Sequence, residues 1–155
     1  VAPVEALFPG VADNGVIDRA ELARRLAADP SGFLRLEAIV HPLVRNAIAD
    51  FLDEAEAHGH ALAAVEVPLL FESGHDYGFD TIAVTHVDEV VQRERILARP
   101  GMTVEKMETL LARQMPQAEK KERADWLFDT TVPIPMIEAE VAELVRKLRA
   151  ERQDG

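Results

Sequence analysis

One stretch of the sequence differs in charge from the rest. Residues 93 to 123 hold eight bases (Arg93, Arg95, Arg99, Lys106, Arg113, Lys120, Lys121, Arg123) against five acids (Glu94, Glu105, Glu108, Glu119, Glu122), a net of +3, while the remainder carries −14. A basic segment on an acidic chain suits a local anionic ligand. Gln92, Arg95 and Arg99 fall at i, i+3 and i+7 and therefore share a helix face, with Val90 and Leu97 on the opposite one. Arginine presents a fixed fork of donors that matches phosphate oxygens and keeps its charge at physiological pH. A solvated helix face explains the same spacing, and from spacing alone it is the commoner outcome.

Two carboxylates, Glu66 and Glu72, bracket the end of an apolar run. Ligands of open α/β sheets bind outside the carboxyl ends of the strands, which favours a functional reading of Glu72 and a structural one of Glu66 inside the run. Neither has a partner carboxylate at a useful spacing, so a two-carboxylate hydrolase is weakly supported. The histidines (His41, His58, His60, His75, His86) form no zinc motif; His58-Gly59-His60 reads as a helix-terminal turn and His86 as a strand-end residue.

The elements that must position these groups follow from periodicity and punctuation. Residues 1–60 read as a helical, acidic region, with a turn at Asp13-Asn14-Gly15 and Asp18 as an N-cap. A long helical segment starts at Ser31, and Pro42 is expected to break or kink it before a second helix to about Ala57. Residues 61–67 and 81–87 read as buried parallel strands, and residues 124–130 as a weaker third. Asp88 caps the arginine-bearing helix, Pro100-Gly101 stops it and Thr103 caps the next, so residues 93–123 are expected to form a helical lid able to move. A last helix, residues 136–149, places Ile137, Val141, Leu144, Val145 and Leu148 on one docking face. The resulting order of strand, loop, strand, three helices, strand and helix is α/β, with residues 61–92 and 124–155 as its core.

Composition sets the outer limits. With 155 residues, 48% hydrophobic and 29% charged, the chain has the makings of one soluble globular domain, not a disordered one. A net charge of −11 argues against nucleic acid or an anionic membrane surface as a partner of the whole surface. Cys 0 excludes disulfides, thiolate metal sites and a cysteine nucleophile, and fits a reducing cytoplasm. No apolar run reaches spanning length, Val1-Ala2-Pro3-Val4-Glu5 is not a signal peptide, and the lack of an initial Met reads as a trimmed N-terminus.

Together these segments resemble the dephospho-coenzyme A kinase family. The resemblance rests on Val65-Glu66-Val67-Pro68-Leu69-Leu70-Phe71-Glu72, Asp80-Thr81-Ile82-Ala83-Val84-Thr85, Gln92-Arg93-Glu94-Arg95-Ile96-Leu97-Ala98-Arg99, Arg113-Gln114-Met115 and Lys120-Lys121-Glu122-Arg123-Ala124-Asp125. Upstream, Gly15-Val16-Ile17-Asp18-Arg19 and Leu36-Glu37-Ala38-Ile39-Val40-His41-Pro42-Leu43-Val44 add to it, so it covers nearly the whole chain. It implies a P-loop-kinase-like three-layer α/β/α parallel sheet and ATP-dependent phosphorylation of the ribose 3′-hydroxyl of dephospho-coenzyme A, in the cytoplasm. By residue match, His41 and Pro68, Leu69, Leu70, Phe71 and Glu72 border the acceptor site. Arg95 and Arg99 stand at the base of the lid as the catalytic cations, with Arg99 also on the nucleotide side. Because the phosphoryl transition state spreads negative charge over its oxygens, positioning and electrostatics supply most of such catalysis.

The sequence departs from the family pattern in two places. It contains no GxxxxGK[ST] motif, the loop whose amides cradle phosphates, whose Lys reaches them and whose Ser/Thr holds Mg²⁺, and the aspartate base expected after it is also absent. ATP and Mg²⁺ are therefore expected to be held mainly by that N-terminal segment, the sheet is expected to lack its central strand, and residues 1–155 alone are expected to be inactive. Where the family often has Asn after the last strand's aspartate, near the adenine, Asp129 is followed by Thr130, the second cofactor-side candidate. Two alternatives stay open: a catalytically dead remnant that binds a nucleotide or acidic partner, and another P-loop kinase with a different acceptor.

Overall fold

Asn14 and Gly15, both at positive φ (48° and 80°), turn the chain between two short strands in the computed structural model, which describes residues 1–29 and 31–151. The strands, β1 (Ala12–Asp13) and β2 (Val16–Ile17), pair antiparallel with Ala12 opposite Ile17. This is the hairpin turn that Asn-Gly favours, because both residues tolerate the left-handed region. Helices α1 (Ala2–Leu7), α2 (Arg19–Ala28) and α3 (Ser31–Ala57) complete a first unit, Val1–Gly59. As expected, Asp18 caps α2, its Oδ1 accepting from the amides of Ala20 and Glu21 at 2.9 and 3.0 Å. Phe8, Val11 and Leu26 form the buried core, with Leu7, Ile17, Leu22 and Leu36 packed against them. Gly32 sits where α3 meets that core: a β-carbon there would lie 3.1 Å from Leu26 and 3.2 Å from Phe8.

The expected break at Pro42 does not occur, since α3 runs unbroken through it for 27 residues. Proline removes one amide donor, the partner of the Ala38 carbonyl. Pro42 and Ala38 are both exposed, so water reaches that carbonyl while the remaining ladder holds the helix.

The second unit, His60–Gly155, is built on a parallel pair, β3 (Ala83–His86) and β4 (Trp126–Asp129), with Ala83 opposite Trp126 and His86 opposite Asp129. The Asp125 side chain fixes the start of this pairing by accepting from the Ile82 amide at 2.8 Å, and the amides of Asp125 and Trp126 donate back to the Ile82 carbonyl. Between the strands lie α4 (Glu89–Leu97), α5 (Val104–Leu111) and α6 (Gln117–Glu122), and α7 (Ile134–Glu151) follows β4. Helix α6 packs on β3, α7 on β4, and α4 on α5. The caps at Asp88 and Thr103 form as expected, accepting from Val90 and Lys106 amides, and Gly101 turns the α4–α5 corner at φ 72°. Residues 152–155 of the expected core lie outside the described residues.

Two expectations fail in this unit. Residues 61–67 form no strand, and Glu66 is exposed rather than held inside one. An apolar run records a preference for burial, but a strand exists only where a ladder pairs it, and among the described residues β3 and β4 pair only with each other. Helix α4 is also rotated from the face assigned to it. Val90 is 64% exposed, whereas Ile96 is buried and Gln92 half-buried, so Gln92 faces inward and parts from its exposed neighbours Arg95 and Arg99. β3 is half-exposed, alternating along its length, and not buried on both faces.

Candidate functional site

Thr130 joins the carboxyl ends of the two parallel strands. Its amide and its hydroxyl both donate to the carbonyl of His86, at 2.8 and 2.9 Å. From α4, Arg95 donates through Nη2 to the Thr130 carbonyl at 2.9 Å and through Nη1 to its Oγ1 at 3.4 Å. At the other side of the β3 end, the Val87 amide donates to Gln117 Oε1 at 3.1 Å, and Gln117 Nε2 donates to Gln92 Oε1 at 3.2 Å. A cavity of about 520 Å³ opens between these groups, lined among others by His86, Gln92, Arg93, Gln117, Lys120 and Thr130. It lies outside the carboxyl ends of parallel strands, where α/β sheets bind their ligands.

Lys120 is tied to Glu72. Oε1 of Glu72 accepts from Lys120 Nζ and from the Met115 amide, each at 2.7 Å. Burial pushes the Glu72 carboxyl up, but the bonds from Lys120 and from the Met115 amide outweigh it and hold the group below its ordinary range. At the end of β4, Asp129 is likewise held low, chiefly by the Thr131 hydroxyl and amide.

The other expected site residues are more scattered. Pro68 and Leu69 are exposed, and Leu69 has φ 59°, a strained backbone for a residue with a branched side chain. Leu70 and Phe71 line a second, smaller cavity of about 280 Å³ with Tyr77, Phe79, Ile82 and Arg123, whose guanidinium lies 5.8 Å from the Phe71 ring centre. His41 is exposed on α3 of the first unit. Arg99, one turn beyond Arg95, is exposed and makes no side-chain hydrogen bond or ion pair among the described residues. The structure thus unites Arg95 with Thr130, links Glu72 to the cavity through Lys120, and leaves Arg99 and Pro68-Leu69 outside the lining.

Sequence reasoning missed Gln117 as the clasp of the β3 end and Lys120 as the partner of Glu72. The basic run signalled a cation in this segment, but α6 is only six residues long, too short to fix a face by periodicity. Among the described residues no three His, Asp or Glu side chains are grouped to hold a metal ion, and no helix is long and apolar enough to cross a membrane.

Two solved structures resemble this one. The crystal structure of TT1252 from Thermus thermophilus superposes with a TM-score of 0.67 at 30% identity, covering 94% of this chain and 74% of that one. Dephospho-CoA kinase from Campylobacter jejuni gives a TM-score of 0.68 at 22% identity, covering 94% and 72%, a likeness of fold. The fold and its carboxyl-end cavity place the protein in the α/β class of parallel sheets flanked by helices. The relatives narrow this further: dephospho-CoA kinases of Rhizobium etli and Rhizobium meliloti are 48% and 47% identical over 94% and 97% of this chain and 72% and 77% of their own lengths. The dephospho-CoA kinase family model matches residues 5–135, and the chain belongs to that family.

Proposed function

We propose that the protein carrying this sequence is a phosphotransferase that uses ATP to phosphorylate the ribose 3′-hydroxyl of dephospho-coenzyme A, completing coenzyme A. The observation that carries this reading is the family match over residues 5–135 together with a relative at 48% identity across 94% of the chain. In the reaction the acceptor oxygen bonds to the γ-phosphorus, the bond from that phosphorus to the bridging oxygen breaks and its electron pair leaves with ADP, and the hydroxyl proton passes to solvent. Negative charge spreads over the phosphoryl oxygens on the way, and a fixed cation gains more from that state than from the ground state.

The exposed guanidinium of Arg99, with no side-chain partner among the described residues, is available to meet that charge. Arg95 acts one step behind it: by holding the Thr130 carbonyl it fixes α4 to the strand end and so sets where the next turn presents Arg99. Thr130 lies on the cofactor side, and the Pro68–Glu72 stretch with His41 on the acceptor side. Mg²⁺ would arrive with the ATP phosphates to neutralise them; the described residues form no metal cluster, so none is assigned to it. Cys 0 and the reaction itself suit the cytoplasm.

The test is ADP release by the protein with and without dephospho-coenzyme A, repeated with adenosine and other nucleosides as acceptors. Release that depends on dephospho-coenzyme A supports this reading; release with another acceptor alone points to a different kinase, and binding of ATP with no turnover points to a dead remnant. Run on residues 1–155 alone, the same assay tests whether these residues suffice.

A further inference from the structure

The turn around Leu69 is strained, and what holds it lies far away in sequence. Leu69 sits at φ 59°, while Ser73 closes the turn with its amide on the Leu69 carbonyl at 3.0 Å and its hydroxyl on the Leu70 carbonyl at 2.8 Å. A residue in that conformation persists only where its surroundings over-determine it. Between Leu69 and Ser73 comes Glu72, whose side chain leaves the turn and reaches 43 positions along the chain to the Met115 amide. The same oxygen takes the Lys120 ammonium, and both side chains are largely buried, 15% and 19% exposed. Oε2 of Glu72 is buried with no partner among the described residues, so the carboxylate is held on one side only. Removing either member of such a buried pair leaves the other's charge uncompensated.

We propose that Glu72 is a positioning residue, which acts through Lys120 and the Met115 amide to lock the acceptor-side turn 68–73 to the segment 115–122 that lines the cavity. This deepens the reading of the chain as a dephospho-coenzyme A kinase and rests on it. The two ends of the lock belong to different substrates: the turn to the acceptor, the segment with Lys120 to the cavity shared with Thr130. Opening it leaves both surfaces present but no longer preset relative to each other. The acceptor must then order the turn as it binds, which raises its KM. Glu72 and Lys120 are bonded to each other and not to the Arg95–Arg99 face that is read as meeting the phosphoryl group, so the effect falls mainly on KM.

The experiment compares the wild type with Glu72→Gln, Lys120→Met, the double variant and Lys120→Arg. The expected result is a rise of roughly tenfold in KM for dephospho-coenzyme A in each single variant, with kcat within about threefold. The double variant should be no worse than the poorer single one, and Lys120→Arg should recover most of the loss. A structural role alone would lower kcat through the folded fraction and leave KM unchanged, and that result overturns the proposal, as do losses that multiply in the double variant. A second measurement is independent of turnover: hydrogen exchange in the same protein, where Glu72→Ala should speed exchange of the Met115 amide at least tenfold and leave that of Phe128 unchanged. Unchanged Met115 exchange overturns the lock. Should Phe128 also lose protection, Glu72→Ala has unfolded the unit and Glu72→Met, which keeps the bulk but removes the acceptor of the Met115 amide, is read in its place, with the same criterion. If the wild type does not phosphorylate dephospho-coenzyme A while Met115 behaves as stated, the functional reading fails and the lock stands.

Discussion

The Arg95 guanidinium donates to the carbonyl oxygen of Thr130 at 2.9 Å, across 35 positions of sequence, and the Thr130 hydroxyl in turn donates to His86. One arginine therefore ties a helix to the ends of both parallel strands. Removing it by Arg95→Ala should lower the unfolding free energy by about 1 kcal/mol, the lower range for a charge-assisted bond because the side chain is exposed. Thr130→Val should cost about the same. Urea unfolding of both and of the double variant checks this; the double should lose less than the two single losses combined, because the bonds share an atom.

Arg99 has a different task and a different signature. Arg99→Ala should reduce kcat by roughly a hundredfold or more, as removal of donors that meet developing charge does, with little change in stability. Arg99→Lys should restore only part, because a point charge does not reproduce the fork. Steady-state kinetics in both variants decide it: near-normal turnover would make Arg99 part of a solvated face.

Glu72 makes the stability of the second unit depend on acid. Its carboxyl is held below the ordinary range in the folded state, despite burial, by the Lys120 and Met115 bonds. The stabilisation is therefore complete above the ordinary carboxyl range and is lost as pH falls through the lowered folded-state value. Urea midpoints measured from pH 7 down to about 3 should fall more steeply for the wild type than for Glu72→Gln, which carries no titrating group there.

Two glycines separate strain from crowding. At Gly15 a β-carbon meets nothing within 4 Å, yet φ is 80°, so Gly15→Ala should cost about 1 kcal/mol through the backbone alone. At Gly32 the helix would welcome alanine, but the β-carbon would press on Leu26 and Phe8 at 3.1 and 3.2 Å, and overpacking of this kind costs about 1–3 kcal/mol. Thermal unfolding of both variants of residues 1–155 measures the two costs.

Local signals in the sequence proved legible and long-range ones did not. Asp18, Asp88 and Thr103 announce their helices because capping is a matter of two or three adjacent residues. Asn14-Gly15 and Gly101 announce turns for the same reason. Residues 61–67 carry a strand-like pattern and form no strand, because β structure depends on a pairing partner that a one-dimensional pattern does not supply. Pro42 does not break its helix because an exposed proline near the middle of a long helix costs one bond whose carbonyl water can reach. The links that organise the site, Arg95 to Thr130 and Glu72 to Lys120, join residues 35 and more positions apart, and no periodicity records them.

The reading of the protein as a dephospho-coenzyme A kinase stands on where the phosphate goes. Phosphorus NMR of the product formed from ATP and dephospho-coenzyme A tests it most directly. One new phosphomonoester is expected, on the ribose 3′-oxygen, appearing at the rate of ADP release. A new monoester elsewhere on the acceptor, or ADP and free phosphate with the acceptor unchanged, would contradict it.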